Sequence, residues 1–216
     1  ELGYTPLLIR YNTGFRISRN GRLLADILDN VVANWPVTVT ELVLIGHSMG
    51  GLVIRSALAH EGGRDQVRWT DLTRATITLG TPHFGAPLAR GAGTIAHVAA
   101  KVPQTMWLSS FIRSRSGGIR DLAHGNLVEA DWAGHMADDP TNRRTEVTLP
   151  EHLEHFYVVA SLVPDFLQGH LPHVIGDGLV PLHSAAEGGS LDAEHIAVVP
   201  GLHHLHLLND PLVHSQ

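Results

Sequence analysis

Three stretches of the sequence hold side chains that could carry out covalent chemistry together. The first is Gly46-His47-Ser48-Met49-Gly50, followed by Gly51, with apolar Leu42 to Ile45 before it and Leu52, Val53 and Leu58 after it. This is a G-x-S-x-G pattern between a predicted strand and a predicted helix. Glycines two residues to each side let strand and helix approach closely, and a sharp, strained turn exposes Ser48 Oγ above a sheet. The same turn aims the Met49 backbone N–H, at the helix N-terminus, towards a developing oxyanion. A serine is a weak nucleophile near neutral pH, so a base must lie within hydrogen-bond reach and a carboxylate must orient that base. In such a sheet both follow later in the chain, the acid before the histidine, each on a loop after a strand. Gly176-Asp177-Gly178-Leu179-Val180-Pro181 frames Asp177 between two glycines, a tight turn that fixes a carboxylate on rigid backbone. Asp165 is the competing acid, without that frame. The stretch Pro200 to Leu208 then presents His203, His204 and His206, with Leu205, Leu207, Leu208 and Leu212 as an apolar face to anchor them.

The elements that must hold these groups alternate between strand and helix. Tyr4 to Tyr11, with Leu7, Leu8 and Ile9 at its centre, reads as a buried strand, followed by the loop residues Asn12, Thr13 and Gly14. Leu24, Ile27, Leu28 and Val31 repeat at helical spacing, with Ser18 or Asn20 available as N-cap and Pro36 closing the segment. Leu42 to Ile45, Ala75 to Leu79, Phe156 to Ala160 and His195 to Val199 are further strands, and Gly50 to His60 fits a helix ended by Gly62 and Gly63. This rhythm predicts an α/β fold: a mostly parallel sheet with helices on both faces. The 88–150 stretch breaks it, with helical pieces at Leu88 to Val102 and Gly118 to Val128 and a charged segment from Asp138 to Thr145. We expect one domain over residues 1–216, with 88–150 inserted as a cap over the site. Met106, Trp107, Leu108, Phe111 and Ile112 within the cap suit apolar acyl chains.

Composition narrows the function classes. The 216 residues include Lys+Arg 15 against Asp+Glu 21, a net charge of −6, and 44% are hydrophobic, so the chain can bury a substantial core. Without a basic run it has no footprint for nucleic acid or for an anionic membrane surface. No apolar run is long enough to span a bilayer, and Glu1 to Tyr4 show no signal-peptide pattern; the compartment and the oligomeric state stay open. With Cys 0, covalent catalysis falls to oxygen or nitrogen. Among His 16, the sets His203, His204 and His206, or these with His170 and His173, match no ligand signature such as H-E-x-x-H. We therefore expect no metal and no cofactor.

With those residues in hand, the chain resembles an α/β-hydrolase of the lipase and esterase kind related to the PGAP1-like and lecithin–cholesterol acyltransferase groups. The matching pieces are Gly46 to Val53, the loop Leu79-Gly80-Thr81-Pro82-His83-Phe84-Gly85-Ala86-Pro87, the acid turn Gly176 to Pro181, and His204-Leu205-x-Leu207-Leu208. The resemblance implies Ser48 as nucleophile, Asp177 as orienting acid and His204 as general base, since His204 stands one residue before the Leu-x-Leu-Leu anchor. It also implies an earlier strand ending in a His-Gly loop that gives a second oxyanion donor. No His-Gly precedes Tyr11, so the expectation is a hydrolase lacking its N-terminal strands, with Met49 as one oxyanion donor.

The function expected is cleavage of carboxylic esters, of small esters or lipids, through an acyl-enzyme. Acyl transfer to an alcohol would use the same residues. A non-catalytic hydrolase-like binding module is the other alternative, and the intact triad positions weigh against it. Acyl length and substrate identity are not encoded in these motifs.

Overall fold

A computed structural model of the chain describes residues 3–60, 68–86, 116–134, 144–147, 149–162, 176–187 and 193–215. Helix α1, Ile17–Asn34, buries Ile17, Leu24, Ala25 and Leu28 on one face. Strand β1, Leu42–His47, runs into helix α2, Met49–Ala59, which is apolar nearly all round and buried along most of its length. The short helix α3, Trp69–Leu72, leads into β2, Thr73–Leu79. Helix α4 is Gly117–His124, β3 is Glu154–Ser161, α5 is Leu182–Ala185, β4 is Ile196–Pro200 and α6 is Pro211–His214, with a 3-10 turn at His204–Leu208.

The four strands form a parallel sheet in the order β1-β2-β3-β4. Alternation along each strand sends side chains to opposite faces. In β3, Tyr157 and Val159 pack with Val180, Ala185 and Ala186, whereas Val158 and Ala160 pack with Leu79, Val199, Leu202, Leu207 and Val213. The first face continues into the main core, where α1, α2 and α4 bring together Ile17, Leu24, Leu52, Ile54, Ile119 and Leu122. Parallel strands, helices and a two-sided core are the α/β architecture expected. No helix among the described residues is long and apolar enough to cross a membrane.

Local details depart from expectation in three places. Residues 3–12 form no strand, and the apolar trio is exposed, Leu8 at 96%. A strand needs a ladder, and β1 is the edge of the sheet; the segment is tied to it by side chains, as where the Tyr4 hydroxyl donates to the Glu41 carboxylate. The cap of α1 is neither Ser18 nor Asn20, which lie buried inside the helix. Asp121, a remote residue on α4, supplies it: Ile17 N–H donates to Oδ2 at 2.8 Å and Arg16 Nη1 to Oδ1 at 2.7 Å. An ionised acceptor held by tertiary packing has displaced a local hydroxyl. Third, α4 stops before Val128, because Gly125 takes the left-handed conformation with φ 71°. The expected helix Leu88 to Val102, the apolar group Met106 to Ile112, and Gly62, Gly63, Asp165, His170 and His173 lie outside the described residues.

Candidate active site

The site forms where β1, β2, β3 and β4 end, the edge at which parallel α/β sheets place their loops. Ser48 occupies the single residue between β1 and α2, with φ 52° and ψ −122°, a conformation L side chains rarely adopt. Two hydrogen bonds hold it there: Ser48 N–H donates to the Leu79 carbonyl at 2.9 Å, and Gly51 N–H donates to the Ser48 carbonyl at 3.2 Å. Met49 is the first residue of α2, so its N–H belongs to the amides that a helix leaves without an internal partner.

Asp177 and His204 meet. Nδ1–H of His204 donates to Asp177 Oδ2 at 2.5 Å, and the two side chains are 5% and 1% exposed, so the pair is shielded from competing water. The other carboxylate oxygen, Oδ1, accepts Leu179 N–H at 3.0 Å and Val180 N–H at 2.9 Å. Backbone links double the contact, since His204 N–H donates to the Asp177 carbonyl at 3.2 Å. The flanking glycines are required by this turn: Gly178 has φ 94°, and a Cβ on Gly176 would stand 1.7 Å from the Val180 carbonyl oxygen.

Ser48 shares no hydrogen bond with His204. The link between them runs through His47. Its Nε2–H donates to the His204 carbonyl at 3.0 Å, and the two rings lie 4.8 Å apart. Burial, reinforced by the neighbouring His204, pushes His47 down to about 4, so the ring stays neutral near pH 7 and Nε2 keeps its proton.

Gly80, just past β2, is the floor of the pair. A Cβ there would come within 3.0 Å of Asp177 Oδ2 and of His204 Nδ1 and within 2.7 Å of Leu207. The next residue, Thr81, is fully buried and packs against Gly51 on α2. The loop after β2 thus touches the helix that follows Ser48 on one side and Asp177 and His204 on the other.

Residues 14–147 match the model of the PGAP1-like alpha/beta domain. The chain belongs to this family. The PGAP1-like match contains Ser48, Met49 and the Gly80 loop, while Asp177 and His204 lie beyond it. Among solved structures, the PGAP1-like chain is similar to the Bacillus licheniformis lipase BlEst2 in its mature form, at 17% identity and a TM-score of 0.53, covering 93% of this chain and 72% of that one. It is also similar to the propeptide form of the same lipase, at 20% identity and a TM-score of 0.51, covering 93% of this chain and 40% of that one. At such identities these likenesses establish a shared fold. No curated protein matches the chain.

Of the other histidines, His203 and His206 meet edge to face, with ring centroids 5.9 Å apart. No group of three or more His, Asp or Glu is gathered as a metal site among the described residues. Sequence reasoning passed over His47 as a positioning group, although it lies inside the serine motif. It also gave Gly80 no role, although its loop was noted.

Proposed function

We propose that this PGAP1-like domain is a serine hydrolase of carboxylic esters. The observation that carries the proposal is the buried Asp177–His204 hydrogen bond at the same sheet edge as the strained Ser48 elbow. In this reading Ser48 Oγ attacks the acyl carbonyl carbon while His204 Nε2 takes the hydroxyl proton. The carbonyl electron pair moves onto oxygen, where the Met49 backbone N–H stabilises it. Collapse of the tetrahedral intermediate expels the alcohol, which leaves with the proton from His204. Water then attacks the acyl-enzyme, His204 takes its proton and returns it to Ser48 Oγ, and the acid departs. Asp177 orients the imidazole and stabilises its cationic form throughout.

For the substrate, we propose an ester with an apolar acyl chain. The Bacillus licheniformis neighbours are lipases, and the expected cap over 88–150 contains the apolar group Met106, Trp107, Leu108, Phe111 and Ile112. The far end of that excursion reaches the site's framework, where Arg144 Nη1 donates to the His83 carbonyl at 2.7 Å. The test is intact mass after exposure to a fluorophosphonate, comparing the parent with Ser48→Ala. One adduct on the parent and none on the variant is expected. A folded parent that takes up no reagent would refute the proposal and favour a binding module.

A further inference from the structure

Behind the site lies a buried polar cluster that the hydrolytic reaction does not use directly. Arg55 stands two helical turns after Ser48 on α2. Its Nη1 donates to Glu187 Oε1 and lies 3.2 Å from His83 Nδ1. Tyr157 on β3 donates its hydroxyl to the other oxygen, Glu187 Oε2, at 2.5 Å. The donors and acceptors admit one arrangement. Arg55 has only protons to give, so His83 Nδ1 must accept, which leaves Nε2–H to donate to Thr78 Oγ1 at 3.4 Å and the Thr78 hydroxyl to face the Phe156 carbonyl at 3.4 Å. His83 is therefore a neutral ring of fixed tautomer.

Each member sits on a different part of the site's framework. Glu187 follows α5, which begins directly after the Asp177 turn, and its backbone is held at φ 48°, unusual outside glycine. His83 belongs to the Gly80 loop. That loop is fastened to α5 by three hydrogen bonds of 3.0 Å: His83 N–H to the Ser184 carbonyl, Phe84 N–H to Ser184 Oγ, and Ser184 Oγ–H to the Gly85 carbonyl. Through these links the helix that starts at Ser48 is joined to the segment that carries Asp177 and to the floor under the Asp177–His204 pair.

We propose that the Arg55–Glu187 ion pair, with His83 as neutral acceptor and Tyr157 as second donor, is a positioning clamp that sets the separation of Ser48 from the Asp177–His204 pair. The inference rests on the hydrolytic reading above. Buried ion pairs contribute little net stability compared with well-packed apolar residues of similar volume, so an apolar replacement keeps the fold while removing the geometry that Arg55 Nη1 imposes by reaching both Glu187 Oε1 and His83 Nδ1. The four groups are positioning residues: none stands at the reacting atoms.

The test compares the parent with the double variant Arg55→Met/Glu187→Leu and the single variant Glu187→Gln. Two quantities are read: the rate of Ser48 labelling by fluorophosphonate per folded molecule, and the deshielded proton resonance of His204 Nδ1–H in the Asp177 hydrogen bond. The double variant should fold, with a melting midpoint lowered by the partners it removes from the Tyr157 hydroxyl and His83 Nδ1, and label about 10-fold or more slowly per folded molecule, because a misplacement near ~1 Å can cost ~10²-fold. Its Nδ1–H signal should shift or broaden. Arg55→Lys, which keeps the charge on a shorter side chain of different head geometry, should retain only part of the rate. Labelling of the double variant at the parent's rate would overturn the clamp. If the double variant does not fold, Glu187→Gln decides by the same two readouts. If the folded parent does not label at all, the hydrolytic reading fails, and the proton resonance alone decides: perturbed in the variant, the clamp stands; unchanged, it falls.

Discussion

At Ser48 the backbone holds a conformation that costs a non-glycine residue about 1–3 kcal/mol. Glycine would relieve that strain and lose only about 0.5–1 kcal/mol through its greater freedom in the unfolded chain. Ser48→Gly should therefore raise stability by about 1 kcal/mol while abolishing fluorophosphonate labelling, whereas Ser48→Ala should abolish labelling without that gain. Thermal melts of the two variants side by side check this, and a Ser48→Gly midpoint below the parent's would refute it. Much of this site could be read from residues alone. The G-x-S-x-G frame requires a strained turn, and the two glycines around Asp177 are needed by its φ values and close approaches. His47 could not be read in the same way, because its partner is a carbonyl 157 positions later in the chain.

Among elements, the loop after β2 is the one on which several others converge. Gly80→Ala would drive a methyl into Asp177, His204 and Leu207 at once, and all three belong to the segments that must stay in register with Ser48. We expect labelling to slow by about 10²-fold with a smaller effect on folding; a variant labelling within twofold of the parent would show that the floor yields. Helix α1 depends on a single remote acceptor. Asp121→Ala leaves the Arg16 guanidinium and the Ile17 amide without their partner and should cost about 3 kcal/mol in denaturant unfolding. The contrast between α1 and residues 3–12 shows what periodicity can and cannot reveal. Leu24, Leu28 and their neighbours bury because α2 and α4 lie against them. Leu7, Leu8 and Ile9 have the same apolar character and stay exposed, because burial of a strand needs neighbours that no local pattern encodes.

For the molecule as a whole, the buried histidines set the response to acid. Burial, aided by the Arg55 charge, pushes His83 down to about 3 and His155 to about 4, and burial with His204 places His47 at about 4. In the unfolded chain these rings take up protons near pH 6.5, whereas the folded protein keeps them neutral to much lower pH. Unfolding thus binds protons below pH 6.5, so their stabilisation is complete above that pH and declines towards pH 3–4. His83 alone imposes a slope of up to about 1.4 kcal/mol per pH unit across this window. Asp121, held above the ordinary carboxylate range chiefly by burial, offsets part of the loss at the acid end. Urea midpoints should hold level from pH 7.5 to about 6.5 and then fall towards pH 4.5, and a profile flat throughout would mean that the rings take up protons in the folded state as they do in the unfolded chain.

The stretch from Leu202 to Val213 brings His204 to Asp177 and also supplies Leu202, Leu207 and Val213 to the core on the second face of the sheet. During synthesis, a nascent chain that has emerged only as far as β4 holds Ser48 and Asp177 but has neither His204 nor the apolar cover for that face. The Asp177–His204 pair and closure of the second core therefore arrive together, with the same dozen residues leaving the ribosome. Formation of the Asp177–His204 bond is then a chemical signal that the four described strands have found their places.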